Sequence, residues 1–234
     1  MKKLTIPEKL GELEAFYGPQ VEEWPTEPYE FLVWWHCGYP ASDAACARGW
    51  AALQKAVGTE QEQILHAPQA KLAAALKAGG MVPELRALRL QQVAARVQDE
   101  FGGGLRAALM GRRAEARKLL KKFPNIADAG ADRILLFARI TPLAAVPSNG
   151  PQVLVRMEGG VERTNYAATY RDAQALLAAA VPERFEARMR AYLLLKRHGQ
   201  ETCKREKPRC GECPVNASCG YFARLNRSIA SARL

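Results

Sequence analysis

Residues 198–219 read HGQETCKREKPRCGECPVNASC, and the cysteines of this stretch decide the fold. Cys203, Cys210, Cys213 and Cys219 follow the spacing C-x6-C-x2-C-x5-C. Four thiolates this close in sequence can bind one metal centre within a single loop, and such sites hold either zinc or an iron–sulfur cluster. Structural zinc usually takes two CxxC pairs, whereas only Cys210 and Cys213 form one here. The spacing therefore favours the wider [4Fe–4S] cluster.

Nothing else in the chain indicates secretion or a membrane. No run approaches the ~20 apolar residues of a membrane helix, and Met1, Lys2 and Lys3 are not followed by the apolar segment of a signal peptide. We therefore expect a cytoplasmic protein with reduced thiols, and a disulfide framework is the weaker alternative for the four cysteines. Cys37 and Cys46 are expected to be small buried hydrophobes.

The chain is basic, and its charge is concentrated in two places. The 234 residues carry a formal net charge of +10. Residues 184–234 hold twelve Lys or Arg against four Glu, and residues 111–122 hold six against one Glu. Such patches are typical of a protein with a polyanionic partner, because each neutralised phosphate releases counterions. The pattern predicts nucleic-acid binding and association with the nucleoid; a merely solvated surface is the alternative.

Apolar residues recur with helical spacing throughout, and no segment alternates with period two, so we predict an all-α fold. Ser42 is expected to cap one helix, and Thr59 to Glu62 to form a capping box that opens a short one. The other predicted helices span residues 7–17, 29–37, 42–57, 69–79, 83–100, 112–122 and 130–140.

The last two predicted helices form a basic helix–turn–helix. Residues 112–122 are rich in Lys and Arg, 123–129 form a tight turn, and 130–140 are apolar. A unit of this kind binds phosphate through the backbone N–H groups at the start of its second helix.

Three segments together resemble the endonuclease III and adenine glycosylase family of DNA repair proteins. They are the HG…C…KP.C..CP frame of 198–219, Pro124 with ADRILLF at 131–137, and VPSNGPQVLVRM at 146–157. The resemblance implies a six-helix barrel domain at 29–140, with a helix-hairpin-helix at about 112–140. It implies a [4Fe–4S] domain made of 1–28 and 141–234, and double-stranded DNA bound by a monomer across the cleft between the domains.

The resemblance also implies which residues touch DNA. In the hairpin, Asn125 and Ala127 replace family glycines; Asn tolerates a left-handed conformation, whereas Ala would be strained there. Tyr39 and Met81 fall near the residues that enter the base stack, with ordinary packing as the alternative. The predicted contacts are Lys121, Lys122, Asn125, Ala127, Ala129 and Gly130 in the hairpin, and Lys204, Arg205, Lys207 and Arg209 in the cluster loop.

The catalytic positions of the family are vacant in this chain. The position of the family's Lys nucleophile is Ala129, and that of its Asp is Pro147. Asp128, Asp132 and Asn149 are candidates for relocated groups, with helix-dipole and turn roles as structural alternatives. Three classes stay open: a DNA-binding protein without the usual base-excision chemistry, a glycosylase with relocated groups, and a redox or interaction protein that uses the cluster.

Overall fold

The computed structural model describes residues 3–231, with side chains to residue 227. This range is helical, without a strand, and the all-α prediction is confirmed. No helix in it is long and apolar enough to cross a membrane. Thirteen α-helices lie in the described range: α1 (Ile6–Tyr17), α2 (Pro28–His36), α3 (Asp43–Ala56), α4 (Gln61–His66), α5 (Gln69–Leu76), α6 (Pro83–Phe101), α7 (Leu105–Gly111), α8 (Ala116–Leu120), α9 (Asp128–Phe137), α10 (Gly150–Glu158), α11 (Tyr166–Ala180), α12 (Phe185–Glu201) and α13 (Gly220–Ser231).

The chain divides into two compact units. One is Glu23–Ile140, which holds α2 to α9; the other is Met1–Glu22 together with Thr141–Leu234. The first unit begins before residue 29, the start that the sequence predicts. The reason is Trp24, whose ring packs 6.4 Å from that of Trp34 and 5.0 Å from that of Phe137.

Helix α2 is the centre of the first unit. Its residues Phe31, Leu32, Val33 and Trp34 are at most 2% exposed, as its apolar sequence requires. Cys37, just after the helix, is also buried, in agreement with its predicted role as a small hydrophobe. Two turns are attached to this core: one follows α2, and the other precedes α6.

Two predicted helix starts can be compared with the observed ones. The hydroxyl of Ser42 accepts a hydrogen bond from Ala45 N (3.3 Å) and caps α3, as predicted. The capping box of α4 lies one residue later than predicted. Glu60, not Thr59, is the cap, because the side-chain oxygen of Gln63 reaches back to Glu60 N (3.1 Å).

The second unit joins the start of the chain to its last third. Lys9 on α1 is 1% exposed, and its Nζ donates to Met157 O (3.2 Å) and to Glu158 Oε1 (2.6 Å) at the end of α10. A buried ammonium needs such partners, so α1 is fixed against α10. The segment after α12 forms the loop that bears the four cysteines.

Candidate functional site

The four thiols of the cysteine loop face one space. Cys203, Cys210, Cys213 and Cys219 are free thiols and line one small cavity. Cys203 N donates to His198 O (2.8 Å) at the end of α12, and 3-10 turns at Cys210–Glu212 and Asn216–Ser218 precede the last two cysteines. The local backbone bonds therefore turn all four side chains inward.

Burial sets the acidity of the loop thiols. Within residues 3–227, the structure places no three His, Cys, Asp or Glu side chains to coordinate one metal ion. Burial raises the pKa of Cys203 and Cys210, and it raises that of Cys213 to about 11. Burial therefore favours the protonated thiol at these three cysteines, whereas a metal centre binds the thiolate.

A buried arginine holds the cysteine loop by its backbone. Arg156 on α10 is 8% exposed; it donates to Lys204 O (2.8 Å) and to Arg205 O (3.1 Å). The same guanidinium lies 4.0 Å from Cys203 Sγ. Because the bonds are made to carbonyl groups, the shape of the loop is fixed while its own side chains stay free.

A hydrogen-bonded histidine, His198, also lines the cavity. His198 Nε2 lies 3.8 Å from Cys213 Sγ, and its Nδ1 lies 2.9 Å from the hydroxyl of Tyr17. Burial lowers the pKa of His198 to about 4, so the ring is neutral. If Nδ1 accepts from Tyr17, Nε2 carries the proton and donates to the sulfur.

The cations of the cysteine loop point to solvent. Lys204, Arg205 and Lys207 are exposed, and none of the three forms an ion pair with a side chain in the described part of the chain. Lys207 has φ +50°, a left-handed conformation that is uncommon for a residue with a Cβ. Arg209 differs, because it donates to Glu201 O and pairs with Glu212 at 3.4 Å.

The hairpin is shorter at its first helix than the sequence predicts. Helix α8 covers only Ala116–Leu120, because α7 ends at Gly111 and a turn with Glu115 N bonded to Arg112 O follows. Helix α9 begins at Asp128, earlier than predicted, and ends at Phe137. Arg139 takes φ +54° there, and Ile140 N donates to Leu135 O, which reverses the chain.

The two residues in place of the hairpin glycines behave differently. Asn125 has φ +57°, the left-handed conformation that asparagine tolerates. The strain predicted for Ala127 is absent, and that prediction was wrong. Ala127 has φ −98° and ψ −171°, an extended conformation open to any residue, and it precedes α9 without a side-chain cap.

Two lysines of the hairpin form ion pairs within the molecule. Lys121 pairs with Asp128 (2.5 Å), and Lys122 pairs with Glu100 (3.3 Å). Their charge is therefore partly neutralised before any ligand arrives. Ala129 and Gly130 lie half-buried in the first turn of α9.

A buried arginine also braces the turn before α6. Met81 and Val82 are 84% and 52% exposed, and Val82 has φ +49°, which is strained for a β-branched residue. Arg86, 1% exposed, donates to the carbonyls of Leu76 (2.8 Å), Gly80 (2.6 Å) and Met81 (3.0 Å). A fourth bond goes to Cys37 O, at the end of α2. The turn is thus held firmly with Met81 at its tip.

Solved structures share the fold of this chain. A non-covalent endonuclease III–DNA complex matches with a TM-score of 0.73 and 19% identity, over 96% of this chain and 99% of that one. A trapped endonuclease III–DNA covalent intermediate matches at 0.74 and 18%, over 95% and 99%. The chain has the helix-hairpin-helix DNA glycosylase fold. A thermostable thymine-DNA glycosylase matches at 0.72 and 20%, over 94% and 97%. No family model and no curated protein matches the chain by sequence.

On this helix-hairpin-helix glycosylase fold, the relocated acids proposed from sequence are held by basic partners. Asp132 is 0% exposed, and both of its carboxylate oxygens accept from Arg117 at 2.7 Å. Asp128 is the partner of Lys121. A general base needs an oxygen that can reach a substrate proton, and these carboxylates are engaged elsewhere.

The third candidate and the vacant Asp position lie together near α10. Asn149 Nδ2 donates to Lys196 O (3.1 Å) on α12, so its amide fastens two helices. Pro147 is buried, and a Cβ on Gly150 would lie 2.7 Å from the proline ring. Asn149 therefore joins α10 to α12, and Pro147 packs in the turn before α10.

Sequence reasoning missed the two arginines that position the loops. Arg86 lies between Leu85 and Ala87, and Arg156 follows Val153, Leu154 and Val155. Each arginine stands at a core position of a helical pattern, where a charge is costly unless it has partners. That pattern was the available signal for both.

Proposed function

We propose that this chain binds damaged or distorted duplex DNA without the usual base-excision chemistry of its structural neighbours. The observation that carries the proposal is the cysteine loop, where Lys204, Arg205 and Lys207 are exposed and form no ion pair with a described side chain. Arg156 holds the backbone of the first two by their carbonyl groups. A rigid cluster of cations binds phosphates without first ordering the loop. The matched endonuclease III structures are DNA complexes, which supports the choice of duplex DNA as the ligand.

The hairpin supplies the second contact in this proposal. Helix α9 has ten residues, and no side chain caps its first N–H groups. Together with Asn125 and Ala127 before it, this end can bind one phosphate through backbone N–H groups. Lys121 and Lys122 add less, because each has an acidic partner.

We propose that the four cysteines bind a [4Fe–4S] cluster. Four free thiols line one pocket, and their spacing C-x6-C-x2-C-x5-C contains a single CxxC pair, where structural zinc usually takes two. The cluster, when bound, supplies a covalent link between the parts of the loop. The residues of the chain then act on DNA directly: Arg156 holds the loop carbonyls, and the three free cations meet phosphates.

The proposal that the chain lacks base-excision chemistry has two grounds. The family's two catalytic positions hold other residues here, and the three side chains that could replace them already have partners. Ala129 has no amine for a Schiff base, and Pro147 has no carboxylate to stabilise a sugar cation. Asp128 and Asp132 are paired with cations, and the amide of Asn149 is bonded to α12. These contacts disfavour a glycosylase with relocated groups.

The proposal is tested with purified protein and a set of paired, mismatched, abasic and base-damaged duplexes. Fluorescence anisotropy at several salt concentrations is expected to give a steep salt dependence, with stronger binding to the distorted duplexes. Gel analysis with borohydride is expected to show neither excision nor a trapped adduct. Affinity that does not change with salt would overturn the binding proposal, and a trapped adduct would overturn the claim about chemistry.

A gain-of-function variant tests whether this chain retains the substrate pocket of the family. Ala129→Lys with Pro147→Asp restores the family's two groups, and borohydride trapping on an abasic duplex is the readout. The matched control is Ala127→Lys with Pro147→Asp, which adds the same charges with the amine two residues away. Trapping by the first variant alone supports lost chemistry in an intact pocket.

A further inference from the structure

A series of hydrogen bonds connects the end of α1 to the cysteine cavity. Tyr17 is the last residue of α1, and its hydroxyl lies 2.6 Å from Thr202 Oγ1 and 2.9 Å from His198 Nδ1. The other nitrogen of the histidine ring, Nε2, lies 3.8 Å from Cys213 Sγ. We call Thr202, Tyr17, His198 and Cys213, in this order, the hydrogen-bond series.

The middle of the series is closed to solvent. His198 is 1% exposed and Thr202 is 6% exposed, and both line the cavity of the four thiols. Thr202 N also donates to His198 O (3.0 Å), so the two side chains lie one helical turn apart. Tyr17 is half-buried. Buried polar groups of this kind depend on one another for their hydrogen bonds, because water reaches them poorly.

Helix α1 is held in the position that the bond from Tyr17 requires. Both carboxylate oxygens of Glu14 accept from Arg190 on α12, at 2.9 Å and 2.7 Å. Tyr17 follows Glu14 by three residues and therefore lies on the same side of α1. Arg190 lies about two turns before His198 on α12. The hydroxyl of Tyr17 is thus placed by the packing of two helices.

The direction of each hydrogen bond follows from the chemistry of a bound thiolate. A thiolate carries no proton, so His198 Nε2 can bond Cys213 Sγ only as the donor. A neutral imidazole has a single N–H, so Nδ1 must then accept, and the hydroxyl of Tyr17 lies within reach as its donor. The oxygen of Tyr17 in turn accepts from Thr202 Oγ1. Each donor has one acceptor, and the ring is held in one tautomer.

We propose that Tyr17 is a positioning residue for the metal centre: its hydroxyl fixes the tautomer and orientation of His198, whose Nε2–H donates to the sulfur of Cys213. This role rests on the proposed [4Fe–4S] cluster and makes α1 part of its surroundings. Hydrogen bonds to the cysteine sulfurs help to set the reduction potential of such a cluster. A donor beside the sulfur favours the more negative, reduced state, so it raises the potential.

The test measures the reduction potential of the iron-loaded protein by redox titration, and the rate at which a chelator removes its iron. Tyr17→Phe deletes the hydroxyl and keeps the ring. It is expected to lower the potential and to speed the loss of iron. His198→Leu removes the donor itself and is expected to shift the potential further in the same direction, with iron lost about 10-fold faster or more.

A double variant separates positioning from packing. If Tyr17 acts through His198, deleting its hydroxyl has no further effect on the potential once the ring is absent. Tyr17→Phe with His198→Leu is therefore expected to have the potential of His198→Leu alone. The matched control is Tyr166→Phe, which removes another hydroxyl of the same unit, one that donates to Ser148 O (3.4 Å). It is expected to leave the potential and the loss of iron unchanged.

The outcomes separate this inference from the proposed cluster. An unchanged potential in Tyr17→Phe, or the same shift with and without the histidine ring, overturns the role of Tyr17, while iron and sulfide in the wild-type protein leave the cluster standing. Wild-type protein that holds zinc or no metal overturns both. If His198→Leu takes up no iron, the potential of Tyr17→Phe alone decides, because this variant keeps the ring and the loop.

Discussion

The hairpin and the cysteine loop are both basic in sequence, yet the structure treats their charges in opposite ways. In the hairpin, Lys121 and Lys122 pair with Asp128 and Glu100. In the cysteine loop, Lys204, Arg205 and Lys207 have no ion pair with a described side chain. The two segments are alike in their number of basic residues. They differ in how many of the named cations are available to a ligand.

The difference has a structural cause. The hairpin is tied together by its own side chains, among them the bidentate pair of Arg117 with buried Asp132. The cysteine loop is held through its backbone, by Arg156 on the carbonyls of Lys204 and Arg205. A loop held through its backbone can leave its cationic side chains free for phosphate.

The largest effect is expected from removing one cysteine of the loop. Cys213→Ala removes a ligand of the proposed cluster, so the loop loses the group that fixes its shape. We expect loss of iron and sulfide, loss of the visible absorbance, and DNA affinity more than about 100-fold weaker at moderate salt as the preordered cations are lost. Metal analysis and anisotropy measure these quantities.

Cys46→Ala is the matched control for that variant. Cys46 is a buried free thiol outside the loop, and burial raises its pKa to about 12. The variant is expected to keep iron, sulfide and DNA affinity, with only a small loss of stability. Full retention of iron by Cys213→Ala would contradict the assignment of the loop cysteines as ligands.

The second prediction removes the free cations and leaves the thiols in place. The triple variant Lys204→Ala, Arg205→Ala and Lys207→Ala removes up to three phosphate contacts. Each contact contributes about 0.9 to the slope of log affinity against log salt, so the slope is expected to fall by up to about 2.7. At about 0.1 M salt this corresponds to roughly 100-fold weaker binding or more, measured by anisotropy.

The hairpin pair supplies the comparison. Lys121→Ala with Lys122→Ala is expected to change the slope by less than about one, because Asp128 and Glu100 already partly neutralise the two lysines. Equal slopes in the two variants would contradict the distinction between free and paired cations. Iron content, measured for both, shows that the cysteine loop is retained.

Much of the fold was predictable because helix periodicity and breakers are local signals. Ser42 caps its helix as expected, and the apolar run of α2 is buried. The departures are at turns, where long-range contacts decide. Ala127 escapes strain because the chain enters α9 in an extended conformation, and residues before Tyr29 join the first unit through Trp24.

The sequence predicted which residue types form the candidate site. It did not predict which side chains form ion pairs or hydrogen bonds with one another. The spacing of the cysteines indicated one centre, and the thiols do line one cavity. Whether Asp132 faced a substrate or Arg117 could not be read from sequence, because the two residues belong to different helices.

The next prediction concerns the stability of the protein at low pH. It involves His36, which contacts the hairpin turn. His36 Nε2 lies 3.0 Å from Pro124 O in the hairpin turn, and burial lowers the pKa of His36 to about 4. The folded state therefore resists a proton that the unfolded chain accepts below about pH 6.5. The other ring nitrogen, Nδ1, lies 2.7 Å from Leu32 O, and two carbonyl partners favour the protonated ring, which opposes the effect of burial. Stability is therefore expected to fall by at most about 3 kcal/mol as pH falls from about 6.5 to 4, measured by urea unfolding.

His36→Gln is the control for this prediction. Glutamine does not titrate, so the variant is expected to lose the part of the pH dependence that lies between about 6.5 and 4. An unchanged pH profile would assign the acid sensitivity to other groups.

The smallest effect concerns the two hairpin positions where the family has glycine. Asn125 has φ +57°, so Asn125→Ala is expected to destabilise the protein by about 1 kcal/mol, whereas Asn125→Gly costs little because glycine adopts this conformation freely. Ala127 is extended, so Ala127→Gly is expected to destabilise by about 0.5–1 kcal/mol through the greater freedom of the unfolded chain. Glycine is therefore tolerated at one position and unfavourable at the other. Urea unfolding of the three variants measures this, and stabilisation by Ala127→Gly would show that the turn adopts the left-handed conformation at that residue after all. None of the three is expected to alter the salt slope set by the cysteine loop, since they change no cation.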